Sequence, residues 1–469
     1  MVVGNVPEAV DLVIAGGGPG GYVAALHAAH AGRKVMLVDT AGDAGVGGVC
    51  LRIGCIPSKA LIEAADFYAK LGEVADMGIQ AGPAQFDMAQ FQRWKTSTIE
   101  GLTSGVSGLL KAAKVQVKRG RLRVTEPGTA VVTDGDGGAQ FLSYKDLLLA
   151  TGSSPVELGV VPVDGVRVID SSGALALTDV PATVAVVGAG YIGLELGTAL
   201  AKLGAKVTLV EAGEQILPTL DAELVRPLMR RLKVLGVSVM TAAEVTGLDD
   251  DVLQVRHNGV ATTLAAERII VAVGRRPNLH DIGLEELGIK RGADGLLQPE
   301  LNRLVAPHIA AIGDITPGPA LAHKASAEAA IAVQTLGGQT VAFEPQSIPS
   351  VVFSDPELAS VGLTHGQALA AGIDAAKTTI PLTASGRAAT MNQRLGFAQC
   401  ISDRADGGIL GVHLLGPHAS ELIASATLAI EMGVTLEDLA LTIHPHPTLS
   451  EQLGELAHLG LGSPVHARA

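Results

Sequence analysis

The feature that most restricts what this 469-residue chain can fold into is an internal repeat. Residues 11–39 read DLVIAGGGPGGYVAALHAAHAGRKVMLVD and residues 183–211 read TVAVVGAGYIGLELGTALAKLGAKVTLVE, and the two align without a gap. A constant shift of 172 positions carries Gly16 to Gly188, Gly18 to Gly190, Gly21 to Gly193, Gly32 to Gly204 and Asp39 to Glu211. Each copy has an apolar, β-branched run, then G-x-G-x-x-G, an Ala/Leu-rich stretch, a glycine, a second apolar run and a carboxylate, which is the pattern of a β-α-β unit. The three glycines allow a tight turn, a close approach of backbone to a pyrophosphate, and tight packing of helix on strand. The helix N-terminus then presents unpaired N–H groups to the phosphates. The carboxylate, about 20 residues on, accepts hydrogen bonds from ribose hydroxyls. Two tight strand-helix turns without ligand are the alternative, and they leave both carboxylates unexplained.

Two dinucleotide sites in one chain predict a flavin that stays and a nicotinamide that comes and goes. Glu211 repels a 2′-phosphate, and Ala212, Gly213 and Glu214 offer no arginine to bind one, so NAD is expected rather than NADP.

The chain is long enough for about three domains at ~150 residues each. Apolar residues make up 48% and charged residues 17%, which excludes an intrinsically disordered class. The net charge of −13 opposes phosphate backbones and anionic lipid heads, so nucleic acid is not expected as a partner. Apolar runs such as 10–15 stop well short of the ~20 residues a spanning helix needs, and no membrane segment is expected. Neither a secretory leader nor an Arg-rich presequence is visible, which makes a cytoplasmic location the default expectation.

Beyond the repeat, the periodicity predicts a helix over 57–70, a long helix or a broken pair over 88–113, and short strands over 115–150 with a turn at 134–138. A basic amphipathic helix is expected over 221–235 as a solvated surface, then short strands to 273. A buried strand at HIAAIGD leads into a helix over 321–336. A third region opens near residue 346, with strands at 350–363, 396–402 and 409–415 and helices at 418–432 and 449–458.

Only three cysteines occur, and two of them, Cys50 and Cys55, sit in GGVCLRIGCIPSK. With four residues between them they can close a small redox loop, and Pro57 suits the first turn of the following helix, which places Cys55 near a helix N-terminus. There a thiolate is stabilised and its pKa falls below the ~8.5 of a free thiol. Inert packing and metal binding are the competing readings. Metal needs further ligands, and no Cys or His lies within twenty residues downstream or ten upstream; no metal site is expected. Cys400 reads as a core residue.

Thiol-disulfide chemistry needs a proton acceptor. In HPHPTLSE, His444 and His446 alternate with Pro445 and Pro447, and Glu451 lies in the first turn of the next helix, where Thr448 or Ser450 is a candidate cap. A carboxylate there fixes the tautomer of His446 and raises its basicity. Each histidine also has a purely structural reading, and the redox pair tips only His446 to a catalytic role.

Taken together, GGVCLRIGCIPSK, GYIGLELG, GRRPN, AIGD, LAHKASAE and HPHPTLSE resemble, in order and along essentially the whole chain, the pyridine nucleotide-disulfide oxidoreductase family, and within it the branch acting on dihydrolipoamide. The resemblance implies an α/β fold with two Rossmann-like dinucleotide-binding domains plus an α+β C-terminal dimerisation domain. It divides the chain into an FAD-binding domain (1–150), an NAD-binding domain (151–275), a central segment completing the FAD site (276–345) and an interface domain (346–469). It further implies a homodimer in which His446 and Glu451 act on the disulfide of the other subunit, and a lipoylated protein as partner.

By position, Cys50 resembles the thiol that exchanges with substrate and Cys55 the one facing the flavin. Lys59 and Glu195 resemble the buried pair beside the flavin ring, whereas the residues alone would make them a surface lysine and a helix-face acid. Asp314 resembles a contact to the ribityl and phosphate portion, and Gly48, Gly120, Gly152 and Ala322 approach the same cofactor. Val245 and Gly274 resemble contacts to the nicotinamide dinucleotide. Asp39 stands where Glu is usual, Arg52 where Asn is usual and Pro445 where Ala is common. The rivals within the class fare worse: mercuric reductase lacks its C-terminal cysteine pair here, glutathione-type reductases usually use NADPH, and a transhydrogenase has no need of Cys55. A nucleotide-binding structural subunit with an idle disulfide is the rival from another class.

Overall fold

A computed structural model describes residues 6–249 and 252–466; the outer ends of the first and last expected domains lie outside them. The fold is α/β and its first repeat copy sits in a parallel sheet. Strand Glu8–Ala15 pairs in parallel with Val35–Asp39 on one side and Ala139–Leu149 on the other. Leu12, Val13, Ile14 and Leu147, Leu148, Leu149 are all buried, as expected for strands covered on both faces. The sheet runs on from Ala139–Leu149 to Ile309–Ala311 and Leu304–Ala306, so a segment from far along the chain completes it. The hairpin Arg121–Glu126 and Thr129–Thr133 extends it antiparallel.

The second copy builds a separate five-stranded parallel sheet in the order 238–240, 206–210, 183–187, 268–271, 168–170. A three-stranded antiparallel sheet, Ala243–Asp249, Val252–His257 and Val260–Ala265, lies beside it. The short pair Ser153–Pro155 and Arg275–Pro277 ties the two crossings between the sheets together. The C-terminal region is a five-stranded antiparallel sheet, in the order 350–352, 358–362, 409–415, 397–403, 375–381, covered by helices Ala419–Glu431 and Glu451–Gly460.

The repeat holds at atomic detail. Helices Pro19–His30 and Tyr191–Lys202 are both twelve residues long and start from Gly18 and Gly190 in the same extended conformation. A Cβ added at Gly21 falls 1.8 Å from the Gly16 carbonyl oxygen, and one at Gly193 falls 1.9 Å from that of Gly188. These glycines are therefore required by helix-on-strand packing.

Two expectations are sharpened and one is corrected. The long helix is unbroken, Met88–Ala112, with Asp87 capping it by accepting from the Gln90 N–H. The basic helix, Ala222–Val234, buries Leu224, Val225, Leu228 and Leu232. At the last helix neither Thr448 nor Ser450 caps through its side chain: the two hydroxyls bond to each other at 2.8 Å and Thr448 Oγ1 donates to the Pro445 carbonyl at 2.7 Å, while the Glu451 carboxylate turns back to accept the Thr448 N–H. Among the described residues no helix is long and apolar enough to cross a membrane.

Candidate active site

One cavity of about 390 Å³ runs from the first glycine turn to the cysteine pair. At one end are Gly16, Gly18, Asp39 and Gly48; at the other are Cys50, Cys55, Lys59 and Glu195; Gly152, Asp314 and Ala322 line it between them. The cavity fits a flavin dinucleotide on its own terms. A Cβ at Gly18 would meet nothing within 4 Å, so the turn is open on the side facing the cavity and closed by packing at Gly16 and Gly21. At the second copy Gly190 is equally open, while a Cβ on Gly188 would lie 2.5 Å from the Ala272 carbonyl oxygen.

The carboxylates that end each copy are held alike. Asp39 accepts the N–H groups of Gly17 and Ala41, both at 2.9 Å. Glu211 accepts those of Ala189 and Gly213, both at 2.8 Å. Each partner is again 172 positions from its counterpart. Asp39, though shorter than glutamate, makes both bonds. Two backbone donors leave carboxylate lone pairs over for a sugar hydroxyl.

Cys50 lies in the short helix Gly48–Ile53, and Cys55 opens the helix Cys55–Lys70, in which Pro57 and Ser58 are buried. The two are separate thiols within hydrogen-bonding reach of each other. The hydrogen bond from Cys50 brings the Cys55 pKa down to about 7 against the pull of burial, and the nearby Lys59 charge helps. Cys50, which donates that bond, moves up, and burial adds to the rise. Cys55 is thus the sulfur prepared to carry negative charge. Cys400 is buried in the strand Phe397–Asp403, where burial pushes its thiol up to about 12.

Lys59 is not a surface lysine: its Nζ is 2.8 Å from Glu195 Oε2, and only 4% of the Glu195 side chain is exposed. Asp314 accepts from Ser153 Oγ at 2.5 Å, and Arg275 Nε in turn donates to that hydroxyl at 2.8 Å. Behind Asp314, the Gly313 N–H donates to Glu328 at 2.7 Å and Lys324 Nζ donates to the Gly313 carbonyl, so the turn is fixed by fully buried charges. Ser153, Arg275 and Glu328 were not assigned from the sequence. The signal available was the glutamate in LAHKASAE, an acid on an otherwise small and apolar helix face.

Eight of the expected cofactor residues do not line this cavity: Gly21, packed against strand Glu8–Ala15, Gly188, Gly190, Gly193 and Glu211 of the second copy, and Gly120, Val245 and Gly274. Gly120 joins it only through its N–H, donated to the Asp39 carbonyl at 2.9 Å, and is fixed by strand Thr129–Thr133, where a Cβ would meet Val132. Val245 is half-buried in strand Ala243–Asp249 near the second sheet. Gly274, with positive φ, accepts the Val156 N–H at the crossing between the sheets.

His446 and Glu451 lie in the C-terminal region, and neither lines the cavity within one chain. His446 Nδ1 is 2.7 Å from Glu451 Oε1, and Glu451 Oε2 accepts the Thr448 N–H at 2.8 Å. That backbone bond and the imidazole bring the Glu451 carboxyl below its usual value, although burial opposes them. His444 packs beside Gly454, with its Nε2 buried and without a hydrogen-bond partner among the described residues.

Comparison with known proteins places this geometry. Residues 10–329 match the model of the pyridine nucleotide-disulphide oxidoreductases, and residues 348–457 match that family's dimerisation domain. The chain is 45% identical to the dihydrolipoyl dehydrogenase of Geobacillus stearothermophilus and 41% identical to that of Halobacterium salinarum, each over 99% of both chains. It is similar to the crystal structure of LpdA from Mycobacterium tuberculosis, with a TM-score of 0.88 and 28% identity over 96% of this chain and 99% of that one. It is also similar to the HOCl-induced flavoprotein disulfide reductase RclA from Escherichia coli, with a TM-score of 0.84 and 27% identity over the same shares.

Proposed function

Because this chain belongs to the pyridine nucleotide-disulphide oxidoreductase family, we propose that it oxidises protein-bound dihydrolipoamide to lipoamide and reduces NAD to NADH. The observation that carries this reading is one cavity joining a dinucleotide turn to a thiol pair with one depressed pKa, beside a half-buried lysine paired with a buried glutamate. FAD, when bound, supplies the two-electron link between the thiols and the nicotinamide.

On this reading Gly16, Gly18, Gly21, Asp39, Gly48, Gly120, Gly152, Asp314 and Ala322 hold FAD, and Gly188, Gly190, Gly193, Glu211, Val245 and Gly274 hold NAD. The chain divides into the FAD domain 1–150, the NAD domain 151–275, the central segment 276–345 and the interface domain 346–469. The strand Ile309–Ala311 inside the first sheet supports assigning the central segment to the FAD site.

In the thiol half-reaction, Cys50 and Cys55 start as a disulfide. A substrate thiol gives its proton to His446 of the second subunit and attacks Cys50 Sγ, and Cys55 leaves as the thiolate its surroundings favour. The second substrate thiol attacks the substrate sulfur of the mixed disulfide, and its proton passes to the Cys50 sulfur that is released. The substrate leaves as a cyclic disulfide and the enzyme is left with two reduced sulfurs, so two electrons have passed. Glu451 orients the imidazole through Nδ1 and stabilises its protonated form. Lys59, paired with Glu195, sets the charge beside the sulfurs.

The working unit is a homodimer, the partner is a lipoylated protein, and the place of work is the cytosol. The test is a coupled assay of free dihydrolipoamide with NAD+ and with NADP+. Strong NADH formation is expected, and absence of turnover with a yellow, folded protein contradicts the reading.

A further inference from the structure

The helix that starts at Cys55 and the helix that starts at Tyr191 are joined by two ion pairs of opposite sense. Lys59 on the first pairs with Glu195 on the second at 2.8 Å, and Asp66 on the first pairs with Lys202 on the second at 2.5 Å. Both steps are seven residues, about two helical turns, so both pairs lie on the facing surfaces of the same helix pair.

A segment of the C-terminal region closes both pairs. The Phe353 N–H donates to Glu195 Oε1 at 3.0 Å, on the carboxylate oxygen that Lys59 leaves over, and the Phe353 ring lies under Lys59 Nζ, 4.5 Å from centroid to nitrogen. Two residues on, Asp355 accepts from Lys202 at 2.8 Å and from Arg231 at 2.9 Å and 3.1 Å. Lys202 is 5% exposed, so this end of the clamp is shielded from water. Arg231 also reaches Glu73 at 3.1 Å, just past the end of the first helix. With its ammonium held between a carboxylate and a ring face, Lys59 has little freedom to leave the thiols.

We infer that Phe353 is a positioning residue for Lys59, and that the 353–355 segment makes the C-terminal region part of the redox centre of its own chain, besides any role it has toward a second subunit. Phe353 touches neither thiol; it acts through the lysine and the glutamate. If the ring places the lysine while the backbone N–H holds Glu195, removing the ring lets the ammonium move toward water, and the Cys55 thiolate loses a neighbour that stabilises it.

The inference rests on Cys50 and Cys55 being the working thiols. That reading fails separately, by undiminished dihydrolipoamide oxidation in Cys55→Ser. The test here uses alkylation of the full-length holoprotein reduced with dithiothreitol. Iodoacetamide is applied across a pH series, and tryptic cleavage at Arg52 puts the two cysteines in different peptides. In Phe353→Leu the midpoint for Cys55 is expected to rise by about half a pH unit from its value near 7, and Phe353→Trp, which keeps a ring face, is expected to restore it. Where Leu does not fold, Phe353→Met fills similar volume without a ring. A Leu or Met variant that titrates like the parent, or a Trp variant that titrates like Leu, overturns the inference.

Discussion

Glu451 holds His446 by Nδ1 at 2.7 Å, which leaves Nε2 as the outward nitrogen of an imidazole whose side chain is 78% exposed within one chain. On the proposed reading, a base presented this way meets a sulfur of the second subunit. His446→Gln is expected to lower dihydrolipoamide oxidation by ~10²–10⁴-fold while NADH-driven dye reduction stays near the parent rate. Equal loss of both in steady-state assays would remove His446 from the role of thiol base.

The glycine turns separate ligand contact from packing. Gly18 has open space where a Cβ would sit, whereas at Gly21 a Cβ falls 1.8 Å from a backbone oxygen. Gly18→Ala is expected to fold with a parent-like melting temperature yet purify with little flavin. Gly21→Ala is expected to lose stability outright. Flavin absorbance per chain and thermal melting distinguish the two.

On the proposed reading Glu211 selects the nicotinamide. Glu211→Gln keeps an acceptor for one backbone amide but loses the charge, and the KM for NAD+ is expected to rise about tenfold while use of NADP+ improves, since a hydrogen bond to a charged group contributes about 1.5–3 kcal/mol. An unchanged NAD+/NADP+ ratio in the same assay would place the selection elsewhere.

Asp355 gives a pH signature. Burial alone would raise its carboxyl, but attraction to Lys202 and the hydrogen bond from Arg231 hold it below the usual 3.8. A depressed folded pKa adds stability that is complete above the unfolded value and drains away as pH falls through the folded one. Asp355→Asn, which leaves buried cations short of a partner, is expected to cost about 3 kcal/mol at neutral pH and progressively less as the pH falls below the usual 3.8. Denaturant melts at several pH values check both the size and the trend.

These contacts also mark what the sequence makes legible. The repeat announces two dinucleotide units because glycine spacing and a closing carboxylate are local, and the correspondence persists down to Gly17 with Asp39 and Ala189 with Glu211. Cys50, Cys55 and His446 are equally local signals, being rare residue types in short motifs. The pairing of Lys59 with Glu195, 136 positions apart, comes from resemblance alone. Phe353 goes unnoticed because one aromatic residue in an extended strand reads as core, and its link to Glu195 spans 158 positions. The capping before Glu451 is misjudged for a related reason: a hydroxyl at the N-cap is favoured in general, and here the Thr448 and Ser450 hydroxyls are bonded to each other and to the Pro445 carbonyl instead.

The sharpest test is an anaerobic experiment that mixes the purified protein with dihydrolipoamide and NAD+, for the parent and for Cys55→Ser. For the parent, one NADH is expected per lipoamide formed, with Cys50 and Cys55 cycling between disulfide and dithiol. For the variant, NADH formation is expected to stop although the protein still binds flavin. NADH formed by Cys55→Ser at the parent rate would contradict a sulfur route for the electrons.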